Sequence, residues 1–430
     1  MNKLIMRLSS VVAGLTLIVA TAYAQVTTSS LGGRITDAQG PVAGAAVVAV
    51  HTPSGSQYYS ITGADGNYRI NGLTPGGPYT VTITMLGYRK VEANNLYTAV
   101  GETTLNDFAL EDESTALDAV VITADAAESG MNISRAGAGT TISARTKDLL
   151  PTTSRSLNDI MKLTPQASST SNGLAIGGGN YRQSFVTVDG AAFNNAFGIG
   201  GNLPSGGAPI SLDAIEQMSV NITPFDVRQS GFTGGAINAI TKSGTNDWHV
   251  SVYDYFTSDQ LEGDRVGSDM RAMSKTLNNT LGASVGGPII KNKLFFFVNF
   301  EYQWDETAGS SRLARPNADT KWGGSTSYNR PTEEQMNEIL NHLSSKYGYN
   351  PGRYQNYSLK TPDWKLMARI DWNINDKNKL NVRASHTANK YSSAPSSSVN
   401  PLNPKPYDKD KYGRTSDYAM YTESNRYFQE

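Results

Sequence analysis

The chain has 430 residues, a formal net charge of −1 at pH 7, 41 glycines, 22 tyrosines and no cysteine. This length exceeds that of one ordinary domain, and the glycine and tyrosine content favours strands and turns over helices. The lack of cysteine excludes a disulfide framework, a zinc–thiolate site and a cysteine nucleophile, and the near-neutral charge gives nucleic acid no electrostatic basis for binding.

Residues 1–24 have the pattern of a cleaved secretory signal peptide. Lys3 and Arg7 precede an apolar run at 11–20, and the tripeptide AYA at 22–24 fits a small-residue cleavage site. The run is about half of the roughly 20 residues that a membrane-spanning helix needs, so we prefer cleavage over a membrane anchor. We predict that the mature protein leaves the cytoplasm and that any membrane insertion uses strands.

Residues 31–110 predict a small β-sandwich. Six strand candidates alternate with turns rich in glycine, proline, asparagine and aspartate. The candidates are 31–36, 45–51, 57–62, 68–70, 79–86 and 103–110. This cadence predicts about seven short antiparallel strands with little room for a helix.

The motifs GRITDAQGPVAGAAVVAV and TGADGNYRINGLTPGGPYTVTITMLGY lie within this module. They resemble the carboxypeptidase regulatory-like domain, in which the Asp-Gly-Asn-Tyr turn, here 65–68, and the downstream Gly-Tyr, here 87–88, recur. The resemblance implies a transthyretin-like β-sandwich related to carbohydrate-binding-like modules, and it implies no catalysis. We assign this domain to residues 25–112.

A zinc carboxypeptidase would need a closely spaced His and Glu with a later His, because catalytic zinc takes three protein ligands. None of the four histidines has a glutamate three residues later. They are His51, His249, His342 and His386. We interpret all four as structural or solvent-facing, and we predict no enzymatic activity, no metal site and no cofactor.

The segment LDAVVITA at 117–124 follows an acidic tether at 111–114. This β-branched run is too short to bury itself, so it is either the last strand of the sandwich or a strand that joins the sheet edge of another protein. It resembles the segment that carries the energy-coupling box of TonB-dependent outer-membrane receptors. That resemblance implies capture by the inner-membrane TonB protein and its energising complex. Within a linker at 113–128, the box corresponds to Val120, Val121, Ile122 and Thr123.

Residues 129–245 resemble the plug domain of the same receptors, a mixed α+β fold. A helix pattern at 156–163 ends before Pro165, and a strand at 183–188 leads into Asp189-Gly190, a hairpin signal. The closing run at 210–244 matches the family's order of Ile-Glu, strand, short helix, Gly-Gly and final strand. Within it, PFDVR at 224–228 and Gly-Phe at 231–232 resemble the Oar-like branch more than SusC-type glycan importers, which shifts the expected cargo towards peptide or protein.

The glycine clusters of this segment lack the strand before and the helix after that a phosphate loop requires, so we interpret them as flexible loops. Loop side chains with aromatic and amide groups are candidates for cargo contact, and the alternative is that they wedge the plug against a barrel wall. The candidates are Asn180, Tyr181, Arg182, Phe193 and Asn194.

From Trp248 onward, apolar and polar residues alternate over long spans, which is typical of strands between lipid and water. In 365–373 and 379–387, one face is apolar and the other carries Arg and Asp. An arginine facing the bilayer midplane costs about 2 to 4 kcal/mol, so the charged faces should line a lumen. Short turns at 290–293 and 375–379 contrast with three long polar connections, the layout of an outer-membrane barrel. The long connections are 257–275, 305–360, which holds an amphipathic helix at 333–347, and 389–412.

Residues 246–430 supply about six to eight strands, whereas plugged transporter barrels have about 22. We therefore expect an N-terminal fragment that is mainly β, with a transthyretin-like sandwich, a mixed α+β plug and the first strands of an incomplete antiparallel transmembrane barrel.

Two functions agree with this organisation. The first is a TonB-dependent transporter of the cell outer membrane, whose plug is gated by TonB and which moves a large or scarce peptide, protein or glycan cargo. Its partners would be TonB, outer-membrane lipid and the extracellular cargo. The alternative is a surface-exposed binding or adhesion protein that uses the sandwich as a carbohydrate-binding-like module.

Overall fold

In the computed structural model, contacts divide the chain into two compact units. The first comprises Met1–Val250, Ser284–Val298 and Met367–Ala384, and the second comprises Ser251–Ala283, Asn299–Leu366 and Ser385–Glu430. The structure describes residues 26–112, 120–123, 139–150, 155–161, 163–170, 173–194, 203, 209–222, 233–261, 265–266, 269–270, 276–308, 313–322, 328–350, 352–355, 358–375, 378–392 and 425–429. The predicted signal peptide, the glycine clusters at 198–207 and the motifs at 224–232 lie outside the described residues or almost entirely so.

Strands β1–β9 form two sheets. They are β1 (Ser29–Thr36), β2 (Ala46–His51), β3 (Ser56–Ile61), β4 (Asn67–Leu73), β5 (Gly76–Thr84), β6 (Val91–Thr98), β7 (Thr103–Leu105), β8 (Phe108–Ala109) and β9 (Val120–Thr123). The first sheet has the order β4-β1-β7, with β8 also paired to β1, and the second has the order β3-β2-β5-β6-β9. We call residues 26–112 the N-terminal domain.

Alternating apolar residues of both sheets build one core in the N-terminal domain. Leu31, Val47, Tyr79 and Val81 have no exposed surface and belong to this cluster. The turn before β4 requires glycine, since Gly66 has φ +74° and a Cβ there would lie 2.6 Å from the carbonyl oxygen of Ile35. Core and turn together fix the positions of the strands.

The sequence pattern missed one strand of this domain and one aspect of its topology. Strand β6 was not predicted, because Asn94-Asn95 interrupts its alternation, and Asn95 has φ +60° beside a register shift against β5. The expected all-antiparallel arrangement is wrong, since β7 and β8 pair with β1 in parallel and β9 pairs with β6 in parallel. The segment predicted as one strand at 103–110 is divided into β7 and β8.

A second domain, which we call the middle domain, follows between residues 139 and 241. Its elements are β10 (Gly139–Ser143), α1 (Ala144–Leu149), α2 (Leu157–Met161), β11 (Ala167–Thr170), β12 (Gly173–Ile176), β13 (Phe185–Val188), β14 (Ala191–Ala192), β15 (Ile215–Asn221) and β16 (Ala236–Thr241). Five strands form a sheet of order β10-β15-β16-β13-β14, and β11 pairs with β12. The helices and this sheet share one buried apolar core.

Local sequence explains several of these elements. The Ser143 side chain accepts a hydrogen bond from the N–H of Thr146 and caps α1. The predicted hairpin at Asp189-Gly190 is confirmed, because both residues have positive φ and β13 pairs with β14 across them. Gly235 opens β16 where a Cβ would lie 2.4 Å from the Ile176 side chain, so close packing explains one residue of the Gly-Gly motif.

The remaining described elements include five long strands, five short ones and one helix. They are β17 (His249–Ser258), β18 (Arg265–Val266), β19 (Asp269–Met270), β20 (Thr276–Ile290), β21 (Leu294–Ala308), β22 (Leu313–Arg315), β23 (Tyr328–Thr332), α3 (Glu333–Tyr347), β24 (Ser358–Asn375), β25 (Asn378–Ser392) and β26 (Asn425–Gln429). Six of them form a sheet of order β17-β20-β21-β24-β25-β26, which we call the strand wall. Over the part of the chain that the structure describes, no helix is long and apolar enough to cross a bilayer.

The predicted alternation along the strand wall is confirmed. On β24, Ile370 and Trp372 are 44% and 42% exposed, whereas Met367 and Arg369 are 3% and 5% exposed. The predicted amphipathic helix at 333–347 is α3, which begins with a capping box at Thr332. The predicted long connections began too early, because β17, β21 and β25 continue through polar residues to Ser258, Ala308 and Ser392.

Candidate functional site

Strand β9 lies at the edge of the second N-terminal sheet. It pairs in parallel with β6, with Val91 beside Val120 at one end and Asn94 beside Thr123 at the other. Of the two alternatives that the sequence left open, the pairing corresponds to a last strand of that sheet. Capture of the same segment by TonB stays a prediction.

Beyond the residues that pair with β9, the N-terminal domain contacts the middle domain. The Gln217 side chain on β15 accepts a hydrogen bond from the N–H of Val100 at 2.6 Å and donates one to the carbonyl oxygen of Thr98 at 3.3 Å. Gln217 is 7% exposed, so these bonds are shielded from water. The Gln217 amide therefore satisfies one backbone N–H and one backbone C=O of the N-terminal domain, as the backbone of a paired strand would.

A second contact of the N-terminal domain involves the loop 52–55 and the start of β3, and we call it the turn contact. The N–H of Asn246 donates to the carbonyl oxygen of Pro53 at 2.8 Å, and the amide of Asn373 donates to Ser56 Oγ at 2.9 Å. The Lys379 ammonium lies 3.2 Å from the centroid of the Tyr58 ring. Asn373 and Lys379 flank the short connection between β24 and β25, so the N-terminal domain contacts the short-turn end of these strands.

His51 is buried beside the turn contact and keeps its imidazole neutral. Its Nδ1 lies 2.7 Å from Ser54 Oγ, which donates in turn to Ser56 Oγ at 2.9 Å. Burial, assisted by the positive charge of Lys379, lowers the pKa of His51 to about 4. His51 is thus a buried residue at the end of β2 that bonds the adjacent loop.

Charged side chains of the strand wall bind the end of the middle-domain sheet. Arg369 on β24 donates to the carbonyl oxygen of Thr241 at 2.6 Å and makes a bidentate pair with Asp371 at 2.7 and 2.9 Å. Arg383 on β25 lies 3.4 Å from Asp189 and donates to its carbonyl oxygen at 3.1 Å. Asp189 also accepts from both the N–H and the hydroxyl of Thr241. These bonds join the turn after β13 and the end of β16 to the wall.

Two further observations connect the middle domain and the wall within the first unit. Ser284 on β20 donates to Asp213 at 3.1 Å. Phe297 and Met367 of the wall are buried in the same apolar cluster as the core of the middle domain. The middle domain is therefore attached to the polar face of the wall by both apolar packing and charged hydrogen bonds.

The middle domain also buries charge close to this attachment. Lys147 on α1 donates to the carbonyl oxygen of Leu212 at 2.7 Å, and burial lowers the pKa of its ammonium. Burial likewise raises the pKa of the Glu216 carboxyl, against the opposing effect of nearby Lys242. The Lys147 ammonium and the Glu216 carboxyl, whose charged forms burial disfavours, thus lie close enough to interact electrostatically.

The second unit contains a buried ionic cluster on the strand wall. Lys365 Nζ lies 2.9 Å from a carboxylate oxygen of Glu301 and 3.3 Å from one of Asp363. The Tyr253 hydroxyl donates to the other oxygen of Glu301 at 2.6 Å. Tyr253 crosses Gly282 to reach it, since a Cβ on Gly282 would lie 2.1 Å from the tyrosine ring.

The five predicted cargo-contacting residues fall into two groups. Asn180 and Arg182 are exposed, and the Arg182 guanidinium lies 5.2 Å from the centroid of the Tyr181 ring. By contrast, Phe193 is 7% exposed and belongs to the middle-domain core. The Asn194 amide accepts from the N–H of Val186 and donates to the carbonyl oxygen of Ser184. Phe193 thus packs in the core of the middle domain and Asn194 bonds its backbone, whereas cargo contact by any of the five residues stays a prediction.

Histidine side chains are common metal ligands, and this chain has four of them. Within the described ranges, no group of three or more His, Asp or Glu side chains is arranged to hold a metal ion. His386 packs against Trp364 with 4.6 Å between ring centroids and the ring planes tilted by 49°, and His342 is exposed on α3.

Sequence reasoning missed the contacts that join distant segments. It identified Arg369, Asp371 and Arg383 as lumen-facing, but nothing in the pattern indicates that Thr241 and Asp189 are their partners. The Lys365 cluster was missed as well. Its signal is an ammonium among carboxylates on the polar face of an amphipathic strand, where a charge requires a counter-ion.

Comparisons with known proteins agree with this architecture. Residues 240–423 match the outer membrane beta barrel domain family, and residues 30–111 match the carboxypeptidase regulatory-like domain family. The TonB-dependent transporter Oar of Myxococcus xanthus is 28% identical over 335 residues, covering 73% of this chain and 30% of that protein. The probable TonB-dependent siderophore receptor PirA of Acinetobacter baumannii is 30% identical over 167 residues, covering 35% of this chain and 21% of that protein.

The crystal structure of the siderophore receptor PirA from Acinetobacter baumannii aligns with a TM-score of 0.42 at 17% identity, over 68% of this chain and 37% of that one. The chain spans less than a third of the length of the two curated relatives. The family matches and the mainly β structure define a protein of the outer membrane. More specifically, the chain is similar to TonB-dependent receptors and carries an N-terminal carboxypeptidase regulatory-like domain, so the predicted relationship to Oar is confirmed.

Proposed function

We propose that the chain acts in a TonB-dependent transporter of the outer membrane. In this proposal, residues 1–24 are a signal peptide, 25–112 a transthyretin-like sandwich, 113–128 a linker with the coupling segment, 129–245 a plug and 246–430 barrel strands. The observation that carries the proposal is the attachment of the middle domain to the polar face of the wall through Arg369 and Arg383. A domain held there blocks the lumen until force or cargo releases it.

In this proposal, TonB supplies that force by pulling on the coupling segment. TonB captures Val120, Val121, Ile122 and Thr123 by strand addition and pulls on the linker. The next described element along the chain is β10 of the middle domain. Strand β10 pairs with β15, and β15 pairs with β16, whose last residue Thr241 binds Arg369. Pulling on the linker therefore acts on the sheet that holds the attachment.

The cargo side of the proposal rests on the exposed loop before β13. Asn180, Tyr181 and Arg182 offer amide, aromatic and cationic groups, which suit a peptide, protein or glycan. The capping box that Asn180 and Gln183 form holds this loop in one conformation. We assign these three residues to cargo contact, whereas Phe193 packs in the core of the middle domain and Asn194 bonds its backbone.

The alternative of a surface-exposed adhesin is disfavoured by the turn contact. The N-terminal domain contacts the short-turn end of β24 and β25 through Ser56 and Tyr58. In outer-membrane barrels the short turns face the periplasm and the long loops face the exterior. A carbohydrate-binding module on that end would not meet an external surface.

The proposal is tested with Ile122→Pro in the full-length receptor. Proline removes a backbone N–H and cannot complete a strand ladder, so we expect TonB-driven uptake to be lost. Growth on single peptide, protein and glycan sources is compared for the wild type, a receptor deletion, Ile122→Pro and the conservative Ile122→Val. On any source that requires the receptor, Ile122→Pro should fail like the deletion and Ile122→Val should grow. Normal growth of Ile122→Pro on that source would overturn the proposal.

A further inference from the structure

One face of the middle-domain sheet is polar and nevertheless covered. Strand β15 turns Met218 and Val220 into the apolar core, so Gln217 and Ser219 lie on the opposite face. Ser219 is only 2% exposed. Another part of the chain therefore covers this face.

The N-terminal domain bonds this face on three adjacent strands. Ser219 lies in register between Thr141 on β10 and Asn238 on β16. The Thr141 hydroxyl donates to the Glu102 carboxylate at 3.2 Å. The Asn238 amide donates to the carbonyl oxygen of Val26 at 2.7 Å. Together with the β15 contact described above, these bonds place Ser219 beneath the N-terminal domain.

Three asparagines join the end of the middle domain to the wall. The connection 242–248 leads from β16 to β17. Within it, Asn246 Nδ2 donates to Asn292 Oδ1 at 2.7 Å, and the N–H of Asn292 donates to Asn246 Oδ1 at 2.8 Å. The Asn373 amide donates to the carbonyl oxygen of Asn292 at 3.2 Å. We call Asn246, Asn292 and Asn373 the asparagine network.

The turn contact binds the asparagine network closely. The network donates hydrogen bonds to Pro53 and Ser56, and a Cβ on Gly55 would lie 2.3 Å from Asn292 Oδ1. Gly55 also has φ +64°, so glycine permits both the loop conformation and the close approach. The N-terminal domain therefore contacts the wall and the middle domain at the same time.

Both contacts can separate while the N-terminal domain stays folded. This domain has its own apolar cluster, which shares no residue with that of the middle domain among the residues that the structure describes. The contacts named above are hydrogen bonds between polar groups, as in interfaces that form and dissociate. Two such contacts made by one folded domain reinforce each other, because the loss of one leaves the other to hold the domain nearby.

We propose that the N-terminal domain is a latch that ties the middle domain to the wall and must detach before the middle domain can move. This inference rests on the proposed function, in which the middle domain is the plug. The latch is separate from the arginine attachment, since it uses neither Arg369 nor Arg383. Opening therefore requires both to break.

The reactivity of a thiol placed beneath the latch tests the proposal. Ser219→Cys is introduced into the full-length receptor, and its labelling by a water-soluble maleimide is timed in detergent by mass spectrometry of the peptide that contains it. Labelling requires the N-terminal domain to detach, so its rate follows the detached population. Asn373→Ala removes an amide on the wall side of the latch. Asn378→Ala, at an exposed position at the start of β25, is the matched control.

We expect Asn373→Ala to label roughly tenfold faster than the parent, although the substitution is on the wall and the thiol is on the middle domain. Asn378→Ala should label at the parent rate, and Gln217→Leu should accelerate labelling from the other side of the latch. Equal rates for Asn373→Ala and Asn378→Ala would overturn the latch, because the two contacts would then be independent.

The effect of the latch on opening is measured with the same variants as influx of a small hydrophilic solute into vesicles that contain the receptor. Asn373→Ala should raise influx and Asn378→Ala should not. Faster labelling of Asn373→Ala without added influx would also overturn the latch, since the domain would then detach without releasing the plug. Either failure leaves the proposed function standing, because the growth of Ile122→Pro tests that function separately.

Discussion

Replacing Lys365 by methionine should lower the free energy of unfolding of the strand wall by about 3 to 5 kcal/mol, the usual cost of leaving a buried charge without its partner. The Lys365 side chain is 4% exposed and lies against Glu301 and Asp363, which are 1% and 6% exposed. Without the ammonium, two carboxylates remain buried at close range. Urea unfolding of the receptor in detergent, followed by tryptophan fluorescence, measures the change.

Two variants make this measurement specific. Lys360→Met removes an exposed lysine of the same strand and should leave the midpoint within experimental error. Glu301→Gln added to Lys365→Met removes one of the stranded charges and should recover at least half of the loss. Equal midpoints for Lys365→Met and Lys360→Met would contradict the assignment of Lys365 as the counter-ion of this cluster.

Replacing Arg369 by leucine should release the middle domain from the wall. The substitution removes the bond to the Thr241 carbonyl and the bidentate pair with Asp371. A hydrogen bond to a charged group contributes about 1.5 to 3 kcal/mol, and about 1.4 kcal/mol is a factor of 10 in an equilibrium constant. We therefore expect the population of the released state to rise roughly 10- to 100-fold.

The consequence of this release is measured as influx of a small hydrophilic solute into vesicles that contain the full-length receptor. Arg369→Leu should raise the influx strongly, and Arg369→Lys should raise it less, because lysine keeps the charge but lacks the planar fork. Arg353→Leu, at an exposed position, serves as the control. Influx through Arg369→Leu that equals the control would show that this contact does not hold the domain closed.

Elements governed by neighbouring residues could be predicted from the sequence. The 333–347 helix was bounded correctly because its apolar spacing and its flanking Thr332 and Gly348 act locally. The β24 faces were read from strict alternation, which a strand between two environments imposes. Strand β6 was missed because Asn94 and Asn95 break that pattern. Its backbone pairing with β5 and β9 stabilises the strand although its side chains do not alternate regularly.

The contacts that define the candidate site could be predicted only in part. The polar face that carries Arg369 follows from the cost of exposing arginine to lipid, but the choice of Thr241 as partner depends on how two distant segments pack. Gln217 reads as an ordinary strand residue, although its side chain bonds Thr98 and Val100. The coupling segment could be placed from its composition and position, whereas its pairing with β6 required the three-dimensional arrangement.

Capture of the coupling segment by TonB is tested most directly by site-specific cross-linking in living cells. Val121→Cys is introduced into the full-length receptor, whose residues 1–430 contain no native cysteine, together with a single cysteine in the receptor-binding strand of TonB. The account predicts a disulfide-linked receptor–TonB product with Val121→Cys and none with Val48→Cys, which lies on β2 away from the linker. Absence of the product at position 121, with both proteins present in the envelope, would contradict the account.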